Sequence, residues 1–576
     1  MYTLIATLIC YTIIVIYISD TSEESVKIAV KQIISAYTEI VLWGVLSTWG
    51  ARNVSPIIRF ASRLINALLV NIIIFQLLCL LVLREFFSEL LLENIEDIHY
   101  VPVKYVIVVI TSAIIILCIS FIEPIYLINK YTQFTLISLS VITILLYLSQ
   151  NINYFPIYQF VNIFLENNTK KSKYRLDKNI YDNNKSYTHI DDFSLHHDKT
   201  LKNVVIMFSE GISADLIGCY NSNNKNVTIN IDRICNKSTK VVNYFNHTAA
   251  TFRGIHGQLT SSYNLMISDK NMSDESIIWA EENKPSTYYD TLSANMKKLG
   301  YHTYFIHPDG GTKAFNMMLK SLLFDDVISG DDIATGLKLN QRVGRIAPSG
   351  PVASDEELFE YISDKIINNT LKEPYLVCIY NTGTHAYEDS ADYDKMVVKF
   401  DNSVLRRTSV YDFNINILLK TIEKVIDNTI FIITSDHATF PEPAYRRLRS
   451  NDRTYLPIFI DKIPLIIFGV ELHLPYIIDA NGRNSLDLTP TVLSLLGAGK
   501  IRNSFLGKSL EDDDKDNSFH MSAIGDKIFF MTQGDRVIIT PSEAYQKPYN
   551  ILLNNIKEFY KKELNNDIVP AEFQVH

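Results

Sequence analysis

An apolar run, Thr429-Ile430-Phe431-Ile432-Ile433, stops at Thr434-Ser435-Asp436-His437. A carboxylate beside an imidazole at the mouth of a buried strand supplies two donors of the kind that hold zinc or, less well, manganese. A second run of the same character, Val204-Val205-Ile206-Met207-Phe208, ends at Ser209-Glu210-Gly211. Ligands of open α/β sheets gather at the carboxyl ends of strands, so Glu210, Asp436 and His437 make a candidate metal centre for hydrolase or transferase chemistry. Two more strand ends carry reactive residue types. Asn381-Thr382-Gly383-Thr384-His385 follows one, and His307-Pro308-Asp309-Gly310-Gly311-Thr312-Lys313 follows the other. Each motif alone is common in an ordinary satisfied loop; it is their convergence that points to a site.

The elements that must position these residues read as α/β from Leu201 onward, where short apolar runs alternate with amphipathic stretches. Predicted strands are Asn203–Phe208, Thr239–Phe245, His302–Ile306, Tyr375–Tyr380, Thr429–Ile433 and Pro464–Phe468. Helices fall between them, including Ser354–Asn368 and Val404–Ile426. A late helix is expected with Thr489 as N-cap, Pro490 at its first position and Gly497 as its stop. No internal repeat is visible.

The first quarter differs in kind. Leu64 to Leu83 carries no charge and is long enough to cross a hydrocarbon core of ~30 Å. Tyr105 to Phe121 and Phe134 to Leu148 are similar but shorter. Leu4 to Ile18 reads as an uncleaved helix, because it lacks the basic flank and small-residue cleavage site of a signal peptide. Gln32 to Trp49 is the weakest of the five predicted spans, with Glu39 inside it; such an acid should face a polar partner or a cavity. Lysines and arginines divide evenly between the two sets of loops, so charge does not orient the bundle. The expected organisation is a transmembrane domain over 1–150, an amphipathic and polar linker over 151–200, a catalytic domain over 201–545 and a C-terminal tail over 546–576.

The whole chain has 576 residues, a net charge of -9 and a pI near 5.8. Nucleic-acid binding, which ordinarily needs a basic face, is not expected. Its mean hydropathy of +0.07 averages the apolar quarter with a polar remainder. The six cysteines show no zinc-ribbon spacing. Cys10, Cys79 and Cys118 lie in apolar runs, Cys378 lies on a predicted strand, and Cys219 and Cys235 are a candidate pair only in an oxidising compartment.

The motifs together resemble the membrane-bound phosphoethanolamine and phosphoglycerol transferases of the alkaline phosphatase/sulfatase superfamily. The matching pieces are Asn203–Glu210, Asn381–His385, Phe400-Asp401-Asn402-Ser403-Val404-Leu405, Thr434–His437, Asp487–Gly497 and Phe505-Leu506-Gly507-Lys508-Ser509-Leu510. They occur in family order after five predicted spans. The resemblance implies an alkaline-phosphatase-like α/β domain with a mostly parallel central sheet. It also implies one divalent metal, zinc first and manganese as alternative, held by Glu210, Asp436, His437 and a nucleophilic threonine.

That nucleophile should lie in His247-Thr248-Ala249-Ala250-Thr251-Phe252-Arg253-Gly254. Thr251 is the choice and Thr248 the runner-up, because family nucleophiles begin a helix and are followed nine positions later by a small hydroxyl residue, here Thr260. Either threonine would also serve as an ordinary helix cap. Sulfatases need Cys or Ser at this position to form formylglycine, so threonine argues for phosphoryl transfer. His385 and Lys313 resemble residues that approach the transferred group; Arg253, His256 and His307 are weaker candidates. The implied protein is a multi-pass monomer of the bacterial cytoplasmic (inner) membrane, its catalytic domain on the outer face. It would take a headgroup from a membrane phospholipid to a surface glycan or lipid. Phosphoglycerol transfer, an anchored phosphodiesterase or sulfatase-like hydrolase, and a metal-free binding protein are the alternatives. The resemblance has gaps: the family's later histidine and its several disulfides have no counterpart here, so the acceptor is not implied.

Overall fold

The structure, a computed structural model, describes residues 33–36, 38–39, 55–83, 156–158, 160–161, 201–263, 289–309, 313–337, 346–347, 350–351, 353–386, 396, 398–450, 452, 455–456, 458–498, 503–512, 519–524, 527–532 and 537–538. The chain divides into two compact units, residues 1–175 with 441–450, and residues 176–440 with 451–576.

In the first unit the described part is chiefly α1 (Pro56–Leu83), a helix of 28 residues containing the predicted third span. Several of its side chains lie outside the described set, and among described residues no helix is long and apolar enough to cross a membrane. The first, fourth and fifth predicted spans lie outside the described residues. Residues 33–36 and 38–39 of the second are helical. Glu39 there is buried and has the polar partner an acid in that place requires. Its carboxylate accepts the backbone N–H groups of Ile157 (2.7 Å) and Tyr158 (2.9 Å). Gln76 of α1 donates to the carbonyl of Pro156 at 2.9 Å.

The second unit is organised by a sheet of β1 (Asn203–Ser209), β2 (Thr239–Val242), β3 (His302–Ile306), β4 (Asp326–Ile328), β7 (Tyr375–Tyr380), β8 (Thr429–Ser435), β9 (Leu465–Phe468) and β10 (Ile477–Asp479), with β5 (Ile346–Ala347) and β6 (Gly350–Pro351) forming a separate small ribbon. The spatial order is β10-β2-β9-β8-β1-β7-β3-β4. Every pairing in it is parallel except those of β9, which runs against β2 and β8. Every residue of β1, β7 and β8 is buried. Parallel strands covered on both faces are apolar along their whole length, without alternation, which is the pattern their sequences carry.

The connecting helices of this unit are α2 (Ile229–Cys235), α3 (Thr251–Thr260), α4 (Leu292–Lys298), α5 (Lys313–Ser321), α6 (Gly330–Gly336), α7 (Asp355–Ile367), α8 (Ser403–Val425) and α10 (Leu488–Leu495), whereas α9 (Pro443–Leu448) falls in the first unit. A three-stranded antiparallel sheet, β11 (Phe519–Ile524), β12 (Lys527–Thr532) and β13 (Val537–Ile538), follows.

Two local expectations are corrected. β2 ends at Val242 rather than Phe245, because Asn243 adopts a left-handed φ of 53° that interrupts the ladder. Helix α10 begins at Leu488 with Asp487 at its N-cap, so Pro490 sits in the first turn rather than at its first position. Proline is tolerated there because first-turn N–H groups have no partner within the helix. Gly497 lies just past the end with φ 75°, as a helix stop requires. Cys219 and Cys235 are joined by a disulfide; Cys378 is a buried free thiol on β7, and Cys79 is buried on α1.

Candidate active site

β8 and β1 are neighbours in register, with Ser209 opposite Ser435, so Glu210 and Asp436 leave the sheet side by side. β7 lies on the other flank of β1 and delivers Asn381 to His385 to the same edge. Gly211 turns the chain away from Glu210 with φ 56°, a conformation natural to glycine. A Cβ on Gly211 would lie 3.3 Å from the His437 ring.

Donor atoms of Glu210, Asp436 and His437 all lie within 4.8 Å of one another, and all three residues are buried. His437 Nε2 is 3.4 Å from Glu210 Oε1 and 3.4 Å from Asp436 Oδ2. It is also 3.4 Å from the hydroxyl oxygen of Thr251. These separations suit a tetrahedral ion, since bonds of about 2.1 Å put neighbouring donors about 3.4 Å apart.

The surrounding hydrogen bonds leave the facing atoms for an ion. Asp436 Oδ1 accepts the N–H groups of Gly211 and His437, both at 2.8 Å, whereas Asp436 Oδ2 is buried without a hydrogen-bond partner. His437 Nδ1 lies 2.8 Å from the carbonyl of Ala438. An N–H at Nδ1 fixes the tautomer and leaves Nε2 as the ligating nitrogen. Burial, and after it the negative charge of Glu210, pushes the Asp436 carboxyl up to about 7. Burial also raises Glu210, but His437, His385 and hydrogen bonds from Tyr380 and Thr251 outweigh it and hold its carboxyl low. For His437 burial works against protonation, while Asp436 and Glu210 draw a proton to it and carry it upward. Two buried carboxylates this close are both ionised only beside compensating positive charge. The protein groups alone therefore fit a divalent cation.

Thr251 is the first residue of α3 and donates to Glu210 Oε2 at 2.9 Å. Ala250 before it has φ 69° and ψ 144°, a region nearly confined to glycine and costing a non-glycine residue about 1–3 kcal/mol. Behind Thr251 the helix docks on the turn at Ser435 and Asp436. A Cβ at Gly254 would stand 2.1 Å from the Asp436 carbonyl oxygen. One turn further, Gln258 Nε2 donates to the carbonyls of Ser435 (2.9 Å) and Asp436 (3.1 Å).

Among the predicted site residues, the structure gathers Glu210, Asp436 and His437 and sets Thr251 against Glu210 and His437. Thr248 is buried in the turn before α3, and its carbonyl accepts from Asn246 Nδ2 at 2.6 Å. His385 is partly exposed and close enough to Glu210 to affect its charge. Lys313 opens α5, but its side chain lies outside the described ones. Arg253, His256 and His307 are all buried. His256 and His247 are kept neutral, burial pushing each down to about 3.

Several contributors were not read from the sequence. The Tyr380 hydroxyl donates to Glu210 Oε2; Asn381 Oδ1 accepts the Glu210 N–H at 3.0 Å; and the Thr384 hydroxyl donates to the Glu210 carbonyl at 2.6 Å. Only the position of the last two in the strand-end motif Asn381–His385 hinted at a role.

A mostly parallel sheet that gathers a carboxylate, an Asp-His pair and a helix-initial hydroxyl at one edge defines the alkaline-phosphatase-like class of ester-processing α/β domains. Residues 202–498 match the family model described as Sulfatase. That is just over half of the chain, and the chain belongs to this family. Members of the superfamily act on phosphate or sulfate esters and bind a divalent metal.

Among solved structures the chain is similar to the lipoteichoic acid synthase LtaP from Listeria monocytogenes. Identity is 14% and the TM-score 0.50, over 64% of this chain and 93% of that one. It is also similar to a protein of the alkaline phosphatase superfamily from Vibrio parahaemolyticus (18% identity, TM-score 0.46, 70% of this chain and 96% of that one). A third similar structure is the integral membrane protein lipooligosaccharide phosphoethanolamine transferase A (EptA) from Neisseria meningitidis (15%, 0.48, 80% and 89%). At these identities the likeness is one of fold. No curated protein matches the chain in sequence.

Proposed function

We propose that this protein is a membrane-bound transferase that moves a phospho-headgroup, phosphoethanolamine foremost, from a phospholipid to a surface glycan or lipid by way of phospho-Thr251. The observation that carries the reading is a threonine at the head of α3, hydrogen-bonded to Glu210 and 3.4 Å from His437 Nε2. In a sulfatase-family site the β-methyl of threonine leaves no route to formylglycine, so the hydroxyl itself is the nucleophile. The uncharged segment Leu64–Leu83 supports a lipid donor, and the Cys219–Cys235 disulfide supports a domain outside the cytoplasm.

Glu210, Asp436, His437 and Thr251 would hold a divalent metal, zinc foremost, which when bound lowers the pKa of a hydroxyl and neutralises phosphate charge. Glu210 Oε2 orients the Thr251 hydroxyl and accepts its hydrogen. Thr251 Oγ1 forms the bond to phosphorus while the bond from phosphorus to the diacylglycerol oxygen breaks. His385 supplies the proton to that departing oxygen. The acceptor hydroxyl then attacks phospho-Thr251, His385 takes up its proton, and Thr251 Oγ1 leaves phosphorus and recovers its hydrogen from Glu210. The N-terminus of α3 favours negative charge at the phosphoryl oxygens throughout.

The test is intact-protein mass spectrometry of the purified full chain after incubation with phosphatidylethanolamine in detergent. A phosphoethanolamine increment that maps to Thr251 and disappears in Thr251→Ala is expected. A fully active Thr251→Ala protein would sink the assignment and point to Thr248. A phosphoglycerol increment obtained only with phosphatidylglycerol would rename the donor, and headgroup released to water without acceptor would make the protein a phosphodiesterase.

A further inference from the structure

The strand-end segment Asn381–His385 is polar, and one buried side chain that the chemistry above does not use grips its first three residues. Asp355 is 6% exposed and stands at the first position of α7. Its Oδ2 accepts from Asn381 Nδ2 at 2.9 Å. Its Oδ1 accepts the backbone N–H groups of Gly383 (3.1 Å) and Thr382 (3.4 Å). A Cβ on Gly383 would fall 2.4 Å from Asp355 Oδ2, so the loop approaches the carboxylate as closely as only glycine permits.

An acidic residue in the first turn of a helix ordinarily serves the helix. Here that role is already filled. Ser354 and Glu357 make a complete capping box on α7, with Glu357 N donating to Ser354 Oγ at 3.2 Å and Ser354 N to Glu357 Oε2 at 2.7 Å. Asp355 therefore turns its carboxylate outward from its own helix onto three donors of the strand-end loop.

That loop reaches the site at two points. Asn381, gripped through Nδ2 by Asp355, uses its Oδ1 to accept the N–H of Glu210 at 3.0 Å. The Thr384 hydroxyl donates to the Glu210 carbonyl at 2.6 Å. Thr382, whose N–H faces Asp355, closes the turn through a 3.0 Å bond from His385 N to its carbonyl. One carboxylate thus fixes both the backbone of Glu210 and the base of His385.

We infer that Asp355 is a positioning residue of the active site, acting through Asn381 and Gly383 to set His385 and Glu210. The inference rests on the transfer chemistry proposed above only for the role given to His385. Asp355→Asn is the direct probe. It keeps the volume but leaves a single acceptor oxygen, and its amide must face the Asn381 amide or a backbone N–H.

The experiment measures turnover of fluorescent phosphatidylethanolamine in detergent micelles and zinc affinity by chelator competition. It uses the full-length protein and the Asp355→Asn, His385→Ala, doubly substituted and Gly383→Ala variants. Asp355→Asn should lower kcat by about 10- to 100-fold, as loss of an outer-shell partner does, with KM within about twofold. Assayed at saturating zinc, which offsets the loss that passes through Glu210, the double variant should be no slower than His385→Ala alone, because residues acting as one unit are not additive. Gly383→Ala should reproduce the kcat loss, and it decides the matter if Asp355→Asn fails to fold. Wild-type kcat in Asp355→Asn, or losses that multiply in the double variant, would overturn the inference.

If His385→Ala keeps full turnover, or the native protein leaves the lipid intact, the functional reading fails instead. The positioning claim is then judged on zinc. Asp355→Asn should weaken zinc about tenfold through Glu210, and an unchanged affinity would overturn it.

Discussion

Replacing Gly254 by alanine adds one methyl group where α3, which begins at the proposed nucleophile Thr251, meets the turn at Asp436. The new Cβ would lie 2.1 Å from the Asp436 carbonyl oxygen and 2.8 Å from its carbon, and an ordinary contact needs at least 3.4 Å. Helix α3 must therefore retreat by about 1.3 Å, since the obstructing atoms are backbone and have no rotamer to change. The same retreat pulls Gln258 Nε2 from the Ser435 and Asp436 carbonyls, now at 2.9 and 3.1 Å, beyond hydrogen-bond range. It carries the Thr251 hydroxyl away from Glu210 Oε2, now at 2.9 Å.

Overpacking costs about 1–3 kcal/mol, and the two Gln258 hydrogen bonds add about 1 kcal/mol each. Destabilisation of about 3–5 kcal/mol is expected. A misplacement near 1 Å at the reacting atom costs about 100-fold in rate. Thermal unfolding of the detergent-solubilised protein and lipid turnover would be measured together. Native Tm with native kcat in Gly254→Ala would refute the close docking of α3 on the ligand turn, and with it the account of how Thr251 is aimed.

Two further outcomes follow from the same region. His247 and His256 are neutral and buried, with folded pKa values near 3 against 6.5 for the free side chain. A depressed folded pKa leaves its stabilisation intact above 6.5 and removes it as pH falls toward 3, at about 1.4 kcal/mol per histidine by pH 5.5. Tm should fall steeply between pH 7 and 5.5 (on the order of these limits), and His256→Gln should make the fall shallower; an equally steep fall would count against burial as the cause. Ala250→Gly removes the penalty of φ 69° at that position and should raise stability by about 1 kcal/mol after the added freedom of the unfolded chain is counted. Denaturant midpoints would show it, and a loss of stability would mean the conformation is not strained.

The sheet and the candidate centre were legible to different depths. Strands β1, β7 and β8 could be read because full burial on both faces makes their sequences continuously apolar, and the polar residues that interrupt them mark the edge where ligands collect. Glu210 and the Asp436-His437 pair were visible for that reason. The boundary of β2 was not, because a left-handed Asn243 leaves no sequence pattern distinct from a strand that continues. Asp355, Tyr380, Gly254 and Gln258 were hidden for a common cause. Each acts on a partner distant in sequence, often on a backbone atom, and a backbone atom has no side-chain signature to match. Gly254 in particular is informative only once the carbonyl of Asp436 is known to lie against it.

The pairing of Ser209 with Ser435 has a consequence for when the protein acquires its ion. The two strands that supply Glu210 and the Asp436-His437 pair are adjacent in space yet separated by most of the catalytic chain. Neither strand end alone supplies more than two of these donors, so the centre has no complete form until both have folded. Its assembly waits on closure of a very long loop, a slow kind of contact, and coordination then reinforces that closure. A divalent ion at this centre would therefore be drawn from the compartment in which β8 joins β1, and the metal supply there would weigh on its identity beside the preference of two carboxylates and one imidazole.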